Sequence, residues 1–179
     1  MTADLPTTPR LAIRAFTLDD APFIVELLND PGWLHHIGDR GVRTLDDARR
    51  YLAYGPLAMQ RREGFALWAV QPREGGAPLG MCGLLRRPGL ADVDLGYAFL
   101  PAARGRGHAR EAAAAVLAHG FDALGLKRIV AITGLDNHAS GRVLEAIGMH
   151  FERRLRVAGH DADSLLYAAE AALFHRELK

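Results

Sequence analysis

The chain has 179 residues, 49% hydrophobic and 24% charged, the balance of a soluble globular protein long enough for one sizeable core. Its formal charge of +1 supplies no global attraction to nucleic acid or an anionic membrane, so any electrostatic function must be local. The single cysteine, Cys82, excludes an internal disulfide framework and a cysteine-rich metal site, and no apolar run approaches the ~20 residues that span a bilayer. The opening Met-Thr-Ala-Asp-Leu-Pro lacks the basic start and apolar stretch of a signal peptide, so a cytoplasmic location is expected.

Residues 1–9, rich in threonine and proline, read as a flexible leader to a single domain over 10–175. Leu11, Ile13 and Ala15 alternate as in a short strand. Thr17 and Asp20 form a helix-start signature, Pro22 fits a first turn, and Phe23, Ile24, Leu27 and Leu28 share one helical face. "NDPGW" breaks that helix, and "LHHIGDRGVR" reads as a loop. Thr44 and Asp47 repeat the capping pattern before a helix with Ala48, Tyr51 and Leu52, which Gly55-Pro56 interrupts. Apolar runs at 65–70, 78–85 and 92–100, separated by glycine-rich turns, predict an antiparallel meander.

The alanine-rich stretch 107–124 predicts a helix that ends before Gly125. A β-branched strand at 128–133, a helix at about 137–147 closed by Gly148, and a last strand pair ("HFERRLRV", "DSLLYAAE") follow. The order β-α-α-β-β-β-α-β-α-β-β has no internal repeat and no long linker. It predicts an α/β single domain of α+β type, with a mixed, mostly antiparallel central sheet flanked by helices on both faces.

"RGRGHA" (104–109) opens the long helix. A helix N-terminus presents unpaired N–H groups and partial positive charge, glycines admit close approach to the backbone, and Arg104 and Arg106 add cations. A phosphate is the natural partner, and a tight turn with a solvated basic surface is the plain alternative. The spacing excludes a Walker A loop, which needs Gly-x-x-x-x-Gly-Lys-Ser/Thr. A dinucleotide fingerprint is also a poor match, because Arg110 stands where a small residue is needed and no βαβ unit precedes it.

Arg104, Gly107 and Ala109 spell Arg/Gln-x-x-Gly-x-Gly/Ala between a strand and a long helix, which resembles the pyrophosphate-binding motif of the GNAT superfamily of N-acetyltransferases. "DVDLGYAFLPAARGRGHAREA" and "LGLKRIVAITGLDNHASGRVLEAIGMHFE" resemble the branch that includes the ribosomal-protein N-terminal (RimJ/RimL-like) acetyltransferases, and the likeness covers roughly 10–170. The loop alone is a weak signal, whereas the ordered set of motifs is specific.

The resemblance implies a GNAT fold and acetyl transfer from acetyl-CoA by direct attack of an amine on the thioester. Arg104, Gly105, Arg106, Gly107, His108 and Ala109 would then bind the coenzyme, and Asn137 would contact its pantetheine arm or the acceptor side. A backbone N–H within 97–100, with Phe99 and Leu100 nearest the loop, would stabilise the oxyanion. Asp94 stands where the family often has a glutamate base, so its shorter side chain calls for a water relay. It also reads as a solvent-facing strand carboxylate, like Asp92 two residues before it. No tyrosine occurs between Tyr97 and Tyr167, so the family's helix tyrosine acid is absent. Ser140 matches the serine that replaces it in the ribosomal-protein branch, and also fits a plain first-turn position.

Trp33, Asp39 and Arg40 fall where the family binds its acceptor, or form a surface turn. His35 and His36 lack the i, i+4 spacing of helical metal ligands, so no metal is expected. The expected partners are acetyl-CoA and an amine, either a protein N-terminus or a small polyamine, amino acid or aminoglycoside, with no nucleic acid and no membrane. A monomer and a homodimer both fit, and a non-catalytic acyl-CoA-binding module is the reading from another class.

Overall fold

A computed structural model describes residues 4–177. Seven strands form one sheet: β1 (Leu11–Arg14), β2 (Leu67–Pro72), β3 (Gly80–Leu85), β4 (Val93–Phe99), β5 (Arg128–Gly134), β6 (His150–Leu155) and β7 (Ser164–Glu170), in the order β1-β2-β3-β4-β5-β7-β6. Every neighbouring pair is antiparallel except β4 and β5. These two are held in register only at Val93↔Ile129 and Asp94↔Val130. Beyond that point β4 stays on β3 to Phe99 and β5 stays on β7 to Gly134, so the two strands part and leave a gap.

One face of the sheet carries α5 (His108–Asp122) and α6 (His138–Ala146). Ala112, Ala113, Val116 and Leu117 of α5 pack on Trp68, Leu84, Val93, Leu95 and Phe99, with Leu144 of α6 in the same core. The other face carries α1 (Ala21–Leu28), α2 (Pro31–His36), α3 (Leu45–Tyr54) and α4 (Pro56–Glu63). There Phe23, Ile24, Leu27 and Leu28 meet Trp33, Ala48, Leu52 and Met81. The sheet, the two faces and the single domain are as the sequence predicts. No helix among the described residues is long and apolar enough to cross a membrane.

The differences have local causes. The segment "NDPGW" ends α1 but starts α2: the Asp30 side chain accepts from the Trp33 amide at 3.2 Å, and Pro31 takes the first helical position. The expected loop therefore shrinks to 37–43. Likewise Pro56 opens α4 after Gly55, and Gly64, at φ +80°, closes it. A last helix, α7 (Ala171–Glu177), follows β7 without a capping signal in the sequence.

The leader is anchored from Leu5 onward; residues 1–3 lie outside the described residues. Leu5 packs on the core, Thr7 bridges Ala12, and Thr8 is buried with its amide on the Leu11 carbonyl at 2.8 Å. Strand β3 has no room for a side chain at Gly83, where a Cβ would overlap the Ala66 carbonyl and the Leu67 Cα at the entry to β2. Replacing Gly83 with Ala is expected to destabilise the domain by about 1–3 kcal/mol, read as a lowered midpoint in thermal or urea unfolding.

Candidate active site

The turn before α5 combines two left-handed glycines, Gly105 (φ +69°) and Gly107 (φ +78°), with a helix start that no side chain caps. The first helical amide with an acceptor is that of Glu111, bonded to the Gly107 carbonyl at 3.0 Å, so the amides of His108, Ala109 and Arg110 lack helical partners. The turn is held from behind. The Glu111 carboxylate accepts from the Arg10 amide (2.9 Å), Arg10 Nε (2.6 Å) and the Thr8 hydroxyl, and Arg10 Nη1 donates to the Arg106 carbonyl at 2.8 Å.

Two of the loop's basic side chains bond within the protein. Arg104 donates through Nε to the Phe99 carbonyl at 3.0 Å and pairs with Asp30, and His108 Nδ1 lies 3.1 Å from the Ala103 carbonyl. Arg106 is exposed, and among the described residues its guanidinium has no bonded partner. Arg104 thus braces the loop against α2, while the free cation is Arg106.

Strand alternation sorts the rest. The Leu100 amide donates to the Leu79 carbonyl at 2.9 Å and is spent on the β3 side, so the amides of Phe99 and Tyr97 point toward the gap. Side chains alternate as well: Val93, Leu95, Tyr97 and Phe99 face α5 and α6, while Asp94 and Ala98 face the α1–α4 side.

Asp94 is 1% exposed, with Oδ2 accepting from Arg87 Nε at 2.7 Å and Oδ1 without a partner among the described residues. Burial pushes its carboxyl up to about 6 against the opposing pull of Arg87. The Ile132 amide on the opposite lip favours the charged form without bonding to it. Asp92 differs in kind: half-exposed, it joins Glu152 and Glu170 around Arg128 and stands apart from the gap.

On the opposite face Asn137 caps α6 by accepting from the Ser140 amide at 3.2 Å. The Ser140 hydroxyl lies 2.7 Å from the hydroxyl of Tyr97, whose second neighbour is the Ser140 carbonyl at 3.2 Å. Burial raises the Tyr97 hydroxyl well above its ordinary range, so it stays protonated. The sequence assigned only backbone to Tyr97. Its side chain places a second hydroxyl beside Ser140, from a strand 43 residues earlier in the chain. Thr133, beyond the last β4–β5 pair, adds a second buried oxygen without a partner.

Of the acceptor candidates, Trp33 is core, 5% exposed, with Nε1 donating to the Gly38 carbonyl at 3.0 Å. Asp39 is engaged by Arg43 at 2.6 Å and by the Gly41 amide at 2.8 Å. Arg40 is exposed and makes no hydrogen bond or ion pair among the described residues. His35 and His36 meet Asp136 from the β5–α6 turn: His35 Nε2 lies 2.8 Å from its carboxylate, and one nitrogen or oxygen of each residue lies within 4.8 Å of the others. Spacing along one helix could not show this third partner.

A family model described as an acetyltransferase (GNAT) domain matches residues 10–150. The chain belongs to the GNAT acetyltransferase family, and so to the acyltransferases. An uncharacterized N-acetyltransferase of Bacillus subtilis, YnaD, is 30% identical over 146 residues, covering 82% of each chain. The GNAT-family acetyltransferase of Bacillus anthracis shares 27% identity at a TM-score of 0.77, covering 93% of this chain and 98% of its own. Mycobacterium smegmatis RimJ, solved with CoA-disulfide, shares 22% identity and the fold, at a TM-score of 0.77 over 94% of this chain and 88% of its own.

The GNAT loop here depends on Arg104 as a brace, which yields a prediction. Arg104→Ala should weaken coenzyme A binding several-fold in calorimetry, and should also cost roughly 1 kcal/mol of stability in thermal unfolding by freeing α2.

Proposed function

We propose that the protein is an acetyl-CoA-dependent N-acetyltransferase in which an amine attacks the thioester directly. The observation that carries this reading is the placement of complementary groups on either side of the β4–β5 gap. The unpartnered oxygen of buried Asp94 faces one side, and the Ser140–Tyr97 hydroxyl pair faces the other. The free amides of His108, Ala109 and Arg110, with Arg106, suit a pyrophosphate at one end of the gap. The Phe99 amide suits the developing oxyanion, and Asn137 suits the amide-bearing arm between them.

Acceptor and donor then meet in the gap. The amine enters in its neutral form and bonds to the thioester carbon, the carbon–sulfur bond breaks, nitrogen gives up one proton and sulfur takes one up. A carboxylate near 6 is too weak to strip a free ammonium, whose pKa is ~8–10. It takes the proton once nitrogen has begun to bond to carbon and become more acidic, directly or through one water. The departing sulfur accepts a hydrogen bond from the Ser140 hydroxyl, which Tyr97 holds in place, and takes its proton from solvent. The branch resemblance favours a protein N-terminus as acceptor, with a small amine as the second reading. A module that only binds the coenzyme would need neither the buried carboxyl nor the hydroxyl pair.

Two outcomes test this reading. Ser140→Ala and Tyr97→Phe should each lower kcat, the first by roughly 10²-fold, and the double variant should be no slower than Ser140→Ala alone because the pair acts as a unit. Binding of acetyl-CoA with no thiol release above hydrolysis for any amine would leave only the non-catalytic module.

Asp94 gives the pH dependence. The carboxylate is the active form, so kcat/KM should rise through about pH 6, and this limb should vanish in Asp94→Asn. Stability runs the other way. The folded pKa lies above the ordinary value of ~4, so the contribution is fully present below that value and is lost as pH rises through about 6. Above pH 7, Asp94→Asn should therefore unfold at the same or a higher temperature than the native chain, with a gain of up to about 3 kcal/mol, while losing activity.

A further inference from the structure

We propose that His35, His36 and Asp136 form a surface site for one divalent transition-metal ion of the zinc class, which pins α2 to the turn between β5 and α6. None of the three belongs to the groups assigned to acetyl transfer, so the site stands independently of that reading.

The residues come from two places in the chain, and the fold fixes both. His35 and His36 occupy the last turn of α2, and Asp136 lies 101 residues beyond His35. Buried Trp33 anchors the turn that carries the histidines. Its Nε1 donates to the Gly38 carbonyl, and its own carbonyl accepts from the Ile37 and Gly38 amides at 2.8 and 3.0 Å. Asp136 sits in a tight turn closed by the Asn137 amide on the Gly134 carbonyl at 3.1 Å. Its Oδ1 lies over Gly134, where a Cβ would come within 3.2 Å, and its Oδ2 is 2.8 Å from His35 Nε2. The His36 ring stands edge-on to that of His35, with centroids 4.6 Å apart.

One ligand atom of each residue lies within 4.8 Å of the other two, and no other three His, Cys, Asp or Glu residues gather so closely among the described residues. Adjacent histidines diverge on a helix, yet here one nitrogen of each comes within reach of the same carboxylate. At metal–ligand distances of ~2.0–2.2 Å, the ligand atoms of a tetrahedral site are about 3.3–3.6 Å apart. Closing that cage takes a movement of about 1 Å by exposed side chains. Two imidazoles with one carboxylate favour Zn²⁺ and its neighbours over Mg²⁺ or Ca²⁺, which prefer oxygen alone. The one thiol, Cys82, is fully buried and does not compete. Three protein ligands leave a fourth position open to water.

An exposed histidine–aspartate hydrogen bond is the ordinary alternative, and His175 with Asp122 at 3.3 Å is an example. The two readings differ at His36, which adds a ligand to a metal but is not hydrogen-bonded to Asp136.

The test uses full-length protein without an added histidine tag, titrated with Co²⁺ and followed by visible absorption, with Zn²⁺ as competitor. We expect one ion per chain, the intense band of low-coordinate Co²⁺, and loss of that band as Zn²⁺ is added. Free Zn²⁺ at about 100-fold its Kd should raise Tm by roughly 5 °C or more. His36→Ala, at an exposed position, should leave the metal-free Tm unchanged and weaken Co²⁺ binding by roughly tenfold or more. Asp136→Asn should weaken binding likewise, and His175→Ala should leave it as it is. Absence of saturable binding, or an affinity that His36→Ala does not alter, would overturn the proposal, and so would loss of binding in His175→Ala. The readout is metal binding, so its failure leaves the acetyl-transfer reading untouched.

Discussion

The structure turns on the place where β4 and β5 part. Parallel strands joined through a helix normally stay paired along their length, yet these two share only two register positions. Each lip is instead satisfied on its outer side, β4 by β3 and β5 by β7. The inner N–H and C=O groups are therefore left facing one another across a space, an arrangement that a closed core would not tolerate. A ligand with a chain of amides can complete both lips at once, and the pantetheine arm of coenzyme A is such a chain. Among the described residues the two buried side-chain oxygens without partners, Asp94 Oδ1 and Thr133 Oγ1, lie one on each of the strands that separate.

The same separation explains how one site can hold both a buried carboxyl and a hydroxyl pair. Side chains on β4 alternate between faces, so Asp94 and Tyr97 emerge on opposite sides of the sheet. Their environments then diverge. Burial raises both groups, which makes Asp94 a carboxyl that ionises near neutrality and Tyr97 a hydroxyl that does not ionise at all. The cost falls on folding: a nearly fully buried carboxylate with one oxygen unbonded is destabilising, and the single bond from Arg87 offsets only part of that.

What the sequence revealed was set by how local each feature is. The capping patterns at Thr17 and Thr44, the left-handed glycines at 105 and 107, and the Asn137 cap each lie within one turn, and all were legible. Asp92 and Asp94 look alike in the sequence, since both are carboxylates on one strand face. They part because Arg128 reaches the first while the sheet buries the second. The Tyr97–Ser140 bond and the Asp30–Arg104 pair join positions far apart in the chain, and no periodicity signals them. For Arg104 the motif located the residue but not the direction of its side chain. The restarts at Pro31 and Pro56 were hidden because proline reads equally as a breaker and as a first helical residue.

Helix α2 unites these features. Its N-terminal cap, Asp30, holds Arg104, which also grips the Phe99 carbonyl at the end of β4. Its C-terminal His35 bonds Asp136, next to the residue that caps α6. A six-residue helix is therefore tied to both lips of the gap, to the turn before α5 on one side and to the Ser140 helix on the other. The 37–43 loop that carries Arg40 leaves directly from its end. Any widening of the gap must stretch one of these two contacts, and any shift of α2 must move the 37–43 loop. The turn before α5 and the 37–43 loop are in this way parts of one mechanical unit, and the arginine that opened the sequence motif is the strut that ties the turn to α2.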